Sequence, residues 1–231
     1  MNRKIIALTG FVVLLFVFSS CTSKPEKTLL QKYFNALSLN DVATLSTIAL
    51  EPITIDFNSW EINGEAEETI EPTKLPDMNK IEMELKKKRE ESIGTTLDAK
   101  GEWDDAVFDY EKARTRAAKR AAQKKSDELK IKYDEILATH KNIQKEYNEA
   151  KAAAAREEEI SSFSLGAGVG DLPNIRNFTG EVIYKKANLK INSDAGTKNY
   201  NVYLRKYTLK DEATNITHHG RWIITKFEAI D

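Results

Sequence analysis

Residues 129–154, LKIKYDEILATHKNIQKEYNEAKAAA, decide the architecture. Leu129, Tyr133, Ile136, His140, Ile143, Tyr147, Ala150 and Ala154 fall at steps of four and three in alternation. That is the narrow seam of a coiled coil, where a globular helix would show a broader apolar stripe. Upstream, Trp103, Ala106, Tyr110, Ala113 and Ala117 carry the same alternation. The whole span Asp77–Ile160 is dense in Lys, Arg, Glu and Ala, lacks proline and holds only the glycines Gly94 and Gly101. A helix polar on its other faces cannot bury such a seam alone and needs a second helix. The other half of the same span is the nearest one.

The flanking segments read as pieces of one small domain, so the chain must leave and come back. An antiparallel helical hairpin is the simplest solution. Its return is predicted near Ala117–Lys125, giving two arms of roughly 40 residues that each reach about 60 Å at 1.5 Å per residue. A turn at Gly94–Gly101 is the rival, because glycine costs about 1 kcal/mol in a helix interior. That rival leaves a second helix more than twice as long as the first, with much of its seam uncovered. The midpoint is preferred, with a kink or local break around Gly94–Gly101.

The chain divides as an export signal at 1–20, the first part of an α+β domain at 21–76, the hairpin at 77–160, a flexible return linker at 161–178 and the second part of the domain at 179–231. Arg3 and Lys4 precede the apolar run Ile5–Phe18, and Ser19, Ser20 and Cys21 close it. A basic start, a short apolar run and small residues describe a secretory signal. The run is shorter than the about 20 residues that span a bilayer. Cys21 is the single cysteine of the chain, so it has no disulfide partner within it.

The Ser19-Ser20-Cys21 ending resembles the bacterial lipobox, with Phe18 standing where that motif has Leu or a similar aliphatic. The resemblance implies cleavage before Cys21 and lipid attachment to it, enough acyl chain for stable anchoring. An ordinary signal peptide with an incidental cysteine is the alternative. Thr22 follows in place of Asp. By resemblance to lipoprotein sorting, that implies the outer membrane, facing the periplasm; the outer face of the cytoplasmic membrane is the other possibility.

In the first part of the domain, Leu29, Leu30, Tyr33, Phe34 and Leu37 pattern an amphipathic helix, with Pro25 and Glu26 suited to its first turn. Asp41 is an N-cap for a short helix through Val42, Leu45 and Ile48. Pro52 shifts the chain to extended structure, Ile53–Phe57 alternates as a strand, and Trp60–Ile62 continues it or forms the next. Glu65–Pro76 reads as an acidic linker. After the hairpin, Ser164–Gly170 lacks both GxGxxG spacing and a preceding strand, so it reads as linker and not as a phosphate loop. Three strands are predicted: Glu181–Ile191, Tyr200–Leu209 and Arg221–Ala229, joined by a turn at Ser193–Gly196 and a polar connection, Lys210–Gly220. Val202 and Leu204 take one face of the second strand, Tyr203 and Tyr207 the other. A meander packed on N-terminal helices is an α+β arrangement.

Tyr33-Phe34-Asn35-Ala36-Leu37, the following Asn40–Leu45 and the closing Gly220-Arg221-Trp222-Ile223-Ile224 resemble the two ends of nuclear-transport-factor-2-like (SnoaL-like) domains. The resemblance covers roughly Leu29–Ile62 and Glu181–Ala229. It implies a small cone-like antiparallel sheet packed on the N-terminal helices, with the hairpin at or beside the place of the family's third helix. Enzymes of that family set Asp, Tyr or His inside the cone, and Asp56, Tyr184 and Tyr203 are residues of that kind. Because such positions vary between members, no catalytic residue is carried over.

The chemistry is otherwise sparse. His140 falls in the seam, where it tunes register or pairing. His218 and His219 are adjacent and alternate across a strand end. No HExxH, GxSxG or cysteine-ligand pattern occurs, so no catalytic residue, metal site or cofactor is assigned. A net charge of −1 argues against nucleic acid as a partner. Lys112, Arg114, Arg116, Lys119, Arg120, Lys124 and Lys125 form a run without an acid, which a midpoint turn gathers at the tip. A basic tip suits anionic headgroups, a cell-wall polymer or an acidic protein; a solvated helix face is the plain alternative. The expectation is a non-enzymatic, lipid-anchored envelope lipoprotein acting as a binding or scaffold module. It would work through its coiled coil, by a protein partner or by self-association. The alternative is a small-ligand-binding or isomerase-like member of the resembled family, using a pocket in the cone.

Overall fold

A computed structural model describes residues 24–168 and 170–230; the stretch read as an export signal, and Cys21, lie outside the described residues. Helix α1, Pro25–Ser38, begins with proline and Glu26 in its first turn, where a missing N–H and a negative charge both suit the helix end. Asn40, in the left-handed region at φ 52°, reverses the chain. Asp41 then caps α2, Val42–Ile48, its carboxylate accepting the Thr44 N–H at 3.0 Å.

The next strand differs from expectation. Ile53–Phe57 is extended but unpaired, held where the Tyr33 hydroxyl donates to Ile53 O at 2.9 Å and accepts from Ile53 N at 3.0 Å. Strand β1 is instead Ser59–Pro72, so most of the acidic stretch read as a linker is sheet. Its partner β2, Thr179–Ser193, explains why: Glu61, Glu67 and Glu68 stand opposite Lys190, Lys186 and Lys185. Opposite charges facing across a ladder stabilise the pairing of residues with poor strand propensity. Gly64, at φ 77°, sits where the register slips between Asn63 and Glu67.

Two long helices follow, α3 (Leu75–Lys112) and α4 (Arg116–Leu165), before the chain returns through a 3-10 turn, Ile175–Asn177, into β2. Strands β3 (Gly196–Asp211), β4 (Ile216–His219) and β5 (Ile223–Ile230) complete an antiparallel five-stranded sheet. β4 and β5 share one edge of β3, β4 along 208–211 and β5 along 199–205. The polar connection therefore holds a fourth strand after the helices, where three were expected. Asp211 makes the turn, its carboxylate accepting from Ala213 N and the Thr214 hydroxyl, with Asn215 at φ 57°. The class is α+β, with an antiparallel sheet and long helices.

The sheet is buried on both faces, at opposite ends. Opposed residues of an antiparallel pair point to the same side. Ala187 faces Val202, and with Leu189, Ile191 and Leu204 they meet Leu30, Tyr33, Phe34, Leu45 and Ile48 of α1 and α2. On the other face Val182 is opposite Tyr207, and these join Leu75, Ile160, Ile175, Phe178 and Leu209 around the bases of α3 and α4. The first interior is reinforced by an ion pair between Glu26 and Lys185 at 3.0 Å, both nearly sheltered from solvent. Both ends of the segment 161–178 are built into the fold. Ser161, Ser162 and Ser164 still belong to α4 and are buried, and Ile175 and Phe178 are core residues.

Candidate functional site

The two long helices lie side by side in opposite directions. Arg89 stacks over the Tyr147 ring at 4.4 Å, Ser92 meets His140 at 2.8 Å, Glu102 pairs with Lys132 at 2.7 Å, and Trp103 stacks on Tyr133 with centroids 5.5 Å apart. Ala99 and Ala106, both buried, let the backbones approach. The Ser92 hydroxyl lies within hydrogen-bond reach of both Arg89 O and His140 Nδ1, each at 2.8 Å. His140 therefore meets α3 through its Nδ1. It is a residue of the helix contact, as its place in the seam predicted.

The reversal comes earlier than the expected Ala117–Lys125. Ala113 and Thr115 are extended, and the Thr115 hydroxyl accepts the Ala118 N–H at 3.2 Å to cap α4. Thr115 is the one good capping residue in 112–125; Ala117–Lys125 consists of strong helix formers and stays helical. Nor is there a break at Gly94–Gly101, since α3 runs unbroken through both. A Cβ built at either glycine meets nothing within 4 Å, so each is an open surface position whose propensity cost a long packed helix absorbs.

The base of the pair is fixed to the sheet by charged contacts. Three consecutive glutamates of α4 each hold a different arginine: Glu157 holds Arg205 of β3, Glu158 holds Arg176 of the 3-10 turn, and Glu159 holds Arg156. Arg176 also reaches Glu82 of α3 at 2.5 Å, so one guanidinium ties both helices together. Burial alone would favour a neutral guanidinium, but Glu158 and Glu82 hold the Arg176 pKa above its usual value. The Tyr207 hydroxyl donates to Glu157 at 2.7 Å and accepts from Arg205 at 3.1 Å. Burial first, and then the Glu157 charge, push its pKa well above that of a free tyrosine. Ser164 closes the contact: its hydroxyl donates to Arg221 O at 2.8 Å and accepts from Tyr207 N at 3.2 Å.

At the far end stand the seven cations singled out in the sequence. Lys112 ends α3, Arg114 lies in the turn, and Arg116, Lys119, Arg120, Lys124 and Lys125 occupy the first turns of α4, all exposed. Lys124 pairs with Glu128 at 3.7 Å; the other six make no ion pair among the described residues. The Lys112 ammonium lies 3.9 Å from the Phe108 ring centre, and that of Lys119 lies 5.1 Å from Tyr110.

The cavity-lining residues proposed from the resemblance are divided. Tyr184 and Tyr203 border a groove of about 410 Å³ on the sheet face beside Arg205, together with Thr69, Lys186 and Lys226. Asp56 is exposed on the extended segment and takes no part in it. His218 stacks on Phe178 with ring centroids 5.5 Å apart, and His219 is exposed. Among the described residues no group of His, Cys, Asp or Glu is arranged to hold a metal ion. Sequence reasoning missed the joint role of Arg176, Arg205 and Tyr207, since the 3-10 turn and β3 that carry them are brought to the end of α4 only by the fold. The run Glu157-Glu158-Glu159 was the only visible trace of the contacts that fix the base.

The chain matches no family model, no curated protein and no solved structure.

Proposed function

We propose that this chain is a non-enzymatic, lipid-anchored lipoprotein of the cell envelope, tethered through Cys21 and working as a binding or scaffold arm. In this reading the α+β body is a cone of the nuclear-transport-factor-2-like kind, the two long helices are a coiled coil inserted into it, and the tip holds an anionic partner. The anchoring leaflet is the outer membrane facing the periplasm.

One observation carries the proposal: six unpaired cations collect at the end of α3, a 38-residue helix, after about 57 Å of rise. A solvated helix elsewhere in this hairpin is laced with ion pairs four residues apart, as at Lys100–Asp104 and Lys130–Asp134. The tip differs in composition, with no acid from 112 to 125, and an exposed basic cluster at maximum reach attracts negative charge. The aromatic stack and the buried alanines between the helices support the coiled-coil part of the reading, and the interior shared by α1, α2 and the sheet supports the cone.

The test reverses Arg114, Arg116, Lys119 and Arg120 to Glu and compares the envelope components that co-purify. Loss of a salt-sensitive partner is expected, and unchanged co-purification at low and high salt removes the proposal. Lipidation is tested separately, by incorporation of labelled palmitate into the chain and its loss in Cys21→Ser.

A second reading, a small-ligand pocket, draws on the groove beside Tyr184, Tyr203 and Arg205. Burial raises the Tyr184 pKa, which keeps its hydroxyl protonated and able to donate. Thermal stabilisation by small organic acids, abolished in Tyr184→Phe, would favour it over the arm.

A further inference from the structure

We infer that the anionic partner of the tip is a second copy of this chain, the two hairpins overlapping end to end about a two-fold axis. The inference rests on the reading of the tip as a binding end and names what it binds.

Two independent features point there. The first is an exposed apolar row on α3. Ile93, Leu97, Gly101 and Phe108 fall at steps of four, four and seven, which places them on one helix face. The large members are 42%, 64% and 53% exposed. The face turned to α4 is a different one, carrying Ser92, Ala99, Trp103 and Ala106. At Gly101, and at Gly94 beside the row, nothing lies within 4 Å of where a Cβ would stand, so another backbone can come close. A row of bulky exposed apolar residues on an otherwise charged helix marks a contact surface.

The second feature is the order of charge. Residues 98–111 hold Asp98, Glu102, Asp104, Asp105, Asp109 and Glu111 against Lys100 alone. Residues 112–125 hold the seven cations and no acid. Glu102 and Asp104 are satisfied within the hairpin, by Lys132 and Lys100. Asp98, Asp105, Asp109 and Glu111 make no ion pair among the described residues, and neither do six of the cations. A largely unpaired acidic block on α3 thus adjoins a largely unpaired basic block that caps the hairpin's outer end.

A second hairpin running the opposite way lays its basic block on the first one's acidic block, and the two-fold repeats that contact in reverse. In that overlap the axis passes close to the boundary between the blocks, so of the apolar row Phe108 is the member that meets its own copy. Asp98 is about 35 Å of helix from the sheet, so the two bodies stay clear of each other. A bilayer fits less well, because anionic headgroups that attract the tip repel the acidic block beside it.

The experiment uses full-length protein in mild detergent, with sedimentation velocity across a concentration series at low and high salt. Two variants are compared. One carries Arg114→Glu, Arg116→Glu, Lys119→Glu and Arg120→Glu; the other carries Asp98→Lys, Asp105→Lys, Asp109→Lys and Glu111→Lys. The wild type is expected to dimerise at low salt and dissociate as salt rises, and each variant alone to associate at least tenfold more weakly. An equal mixture of the two should regain the dimer, because an acidic tip then meets a basic block in one contact and a basic tip meets an acidic block in the other.

The inference is overturned by a wild type that stays monomeric at every concentration, or by variants that melt like the wild type yet fail to pair when mixed. Wild type that binds phosphatidylglycerol vesicles without pairing overturns it as well. Should a variant not fold, zero-length cross-linking of mixed isotope-labelled and unlabelled wild type decides. Links between 98–111 of one copy and 112–125 of the other are expected, and links confined to single copies refute the pairing. A monomeric wild type whose tip reversal still abolishes envelope co-purification would leave the binding arm standing and remove only this partner.

Discussion

Ile223 and Ile224 are neighbours in β5, both fully buried, and they lie in different interiors. Ile223 packs with Leu75, Ile160 and Tyr207 at the base of the long helices, Ile224 with the N-terminal helices on the opposite side of the sheet. Truncating either to Ala should cost about 2–5 kcal/mol through lost burial and a cavity. The two losses should separate in amide hydrogen exchange. Ile223→Ala should expose the end of α4 with α1 still protected, and Ile224→Ala the reverse. Identical exchange patterns would mean the sheet does not keep its two sides independent.

The glycines divide by surroundings. Gly94→Ala and Gly101→Ala each fill open space on a helix and should stabilise by about 1 kcal/mol, read as a rise in Tm. Gly180→Ala should do the opposite, since its φ of 131° disfavours a side chain and the new carbon would stand 2.2 Å from Thr208 O. A fall in Tm for the helical pair would show that the open positions are occupied in solution.

Tyr207 sets an alkaline limit. Its pKa is raised in the fold, by burial and by Glu157, so the folded state holds the proton more tightly than the unfolded state does. The resulting stability is complete below the ordinary tyrosine value of about 10 and declines as pH rises above it. Denaturant midpoints should therefore fall above that pH in the wild type. In Tyr207→Phe the midpoint at neutral pH should be lower, because Glu157 loses a donor, and the alkaline decline shallower. Parallel pH profiles for the two proteins would rule out this source.

Where the hairpin is cut should matter more than how much is removed. Replacing 77–160 by a short loop deletes Ile160 and Glu157, both part of the contact with β3, and should abolish cooperative melting. Replacing 87–149 keeps Glu82, Ala154, Glu157 and Ile160 and should leave a two-state transition. Equal melting of both deletions would show that the base adds nothing to the body.

These outcomes bear on what a sequence can reveal. The helices were legible because local signals agree: Pro25 and Asp41 start α1 and α2, and the period through Leu129–Ala154 marks α4. β1 was obscured because Glu67 and Glu68 resemble a linker until Lys186 and Lys185 of a strand more than a hundred residues on are set opposite them. The stretch Ser161–Phe178 looked loose because small and polar residues are also what a helix end needs to lie close against a sheet. Gly220 shows the tightness, since a Cβ there would stand 2.5 Å from the Ser164 hydroxyl oxygen. The basic tip was visible as a run of residue types; its position needed only the reversal at Thr115.

Helix α4 is continuous from Arg116 to Leu165, and its last turn is bonded to β3 and to Arg221, just ahead of β5. A load applied at the outer end therefore has no slack joint in which to dissipate. It arrives as torque on Tyr207 and Arg221, a lever arm working directly on the sheet.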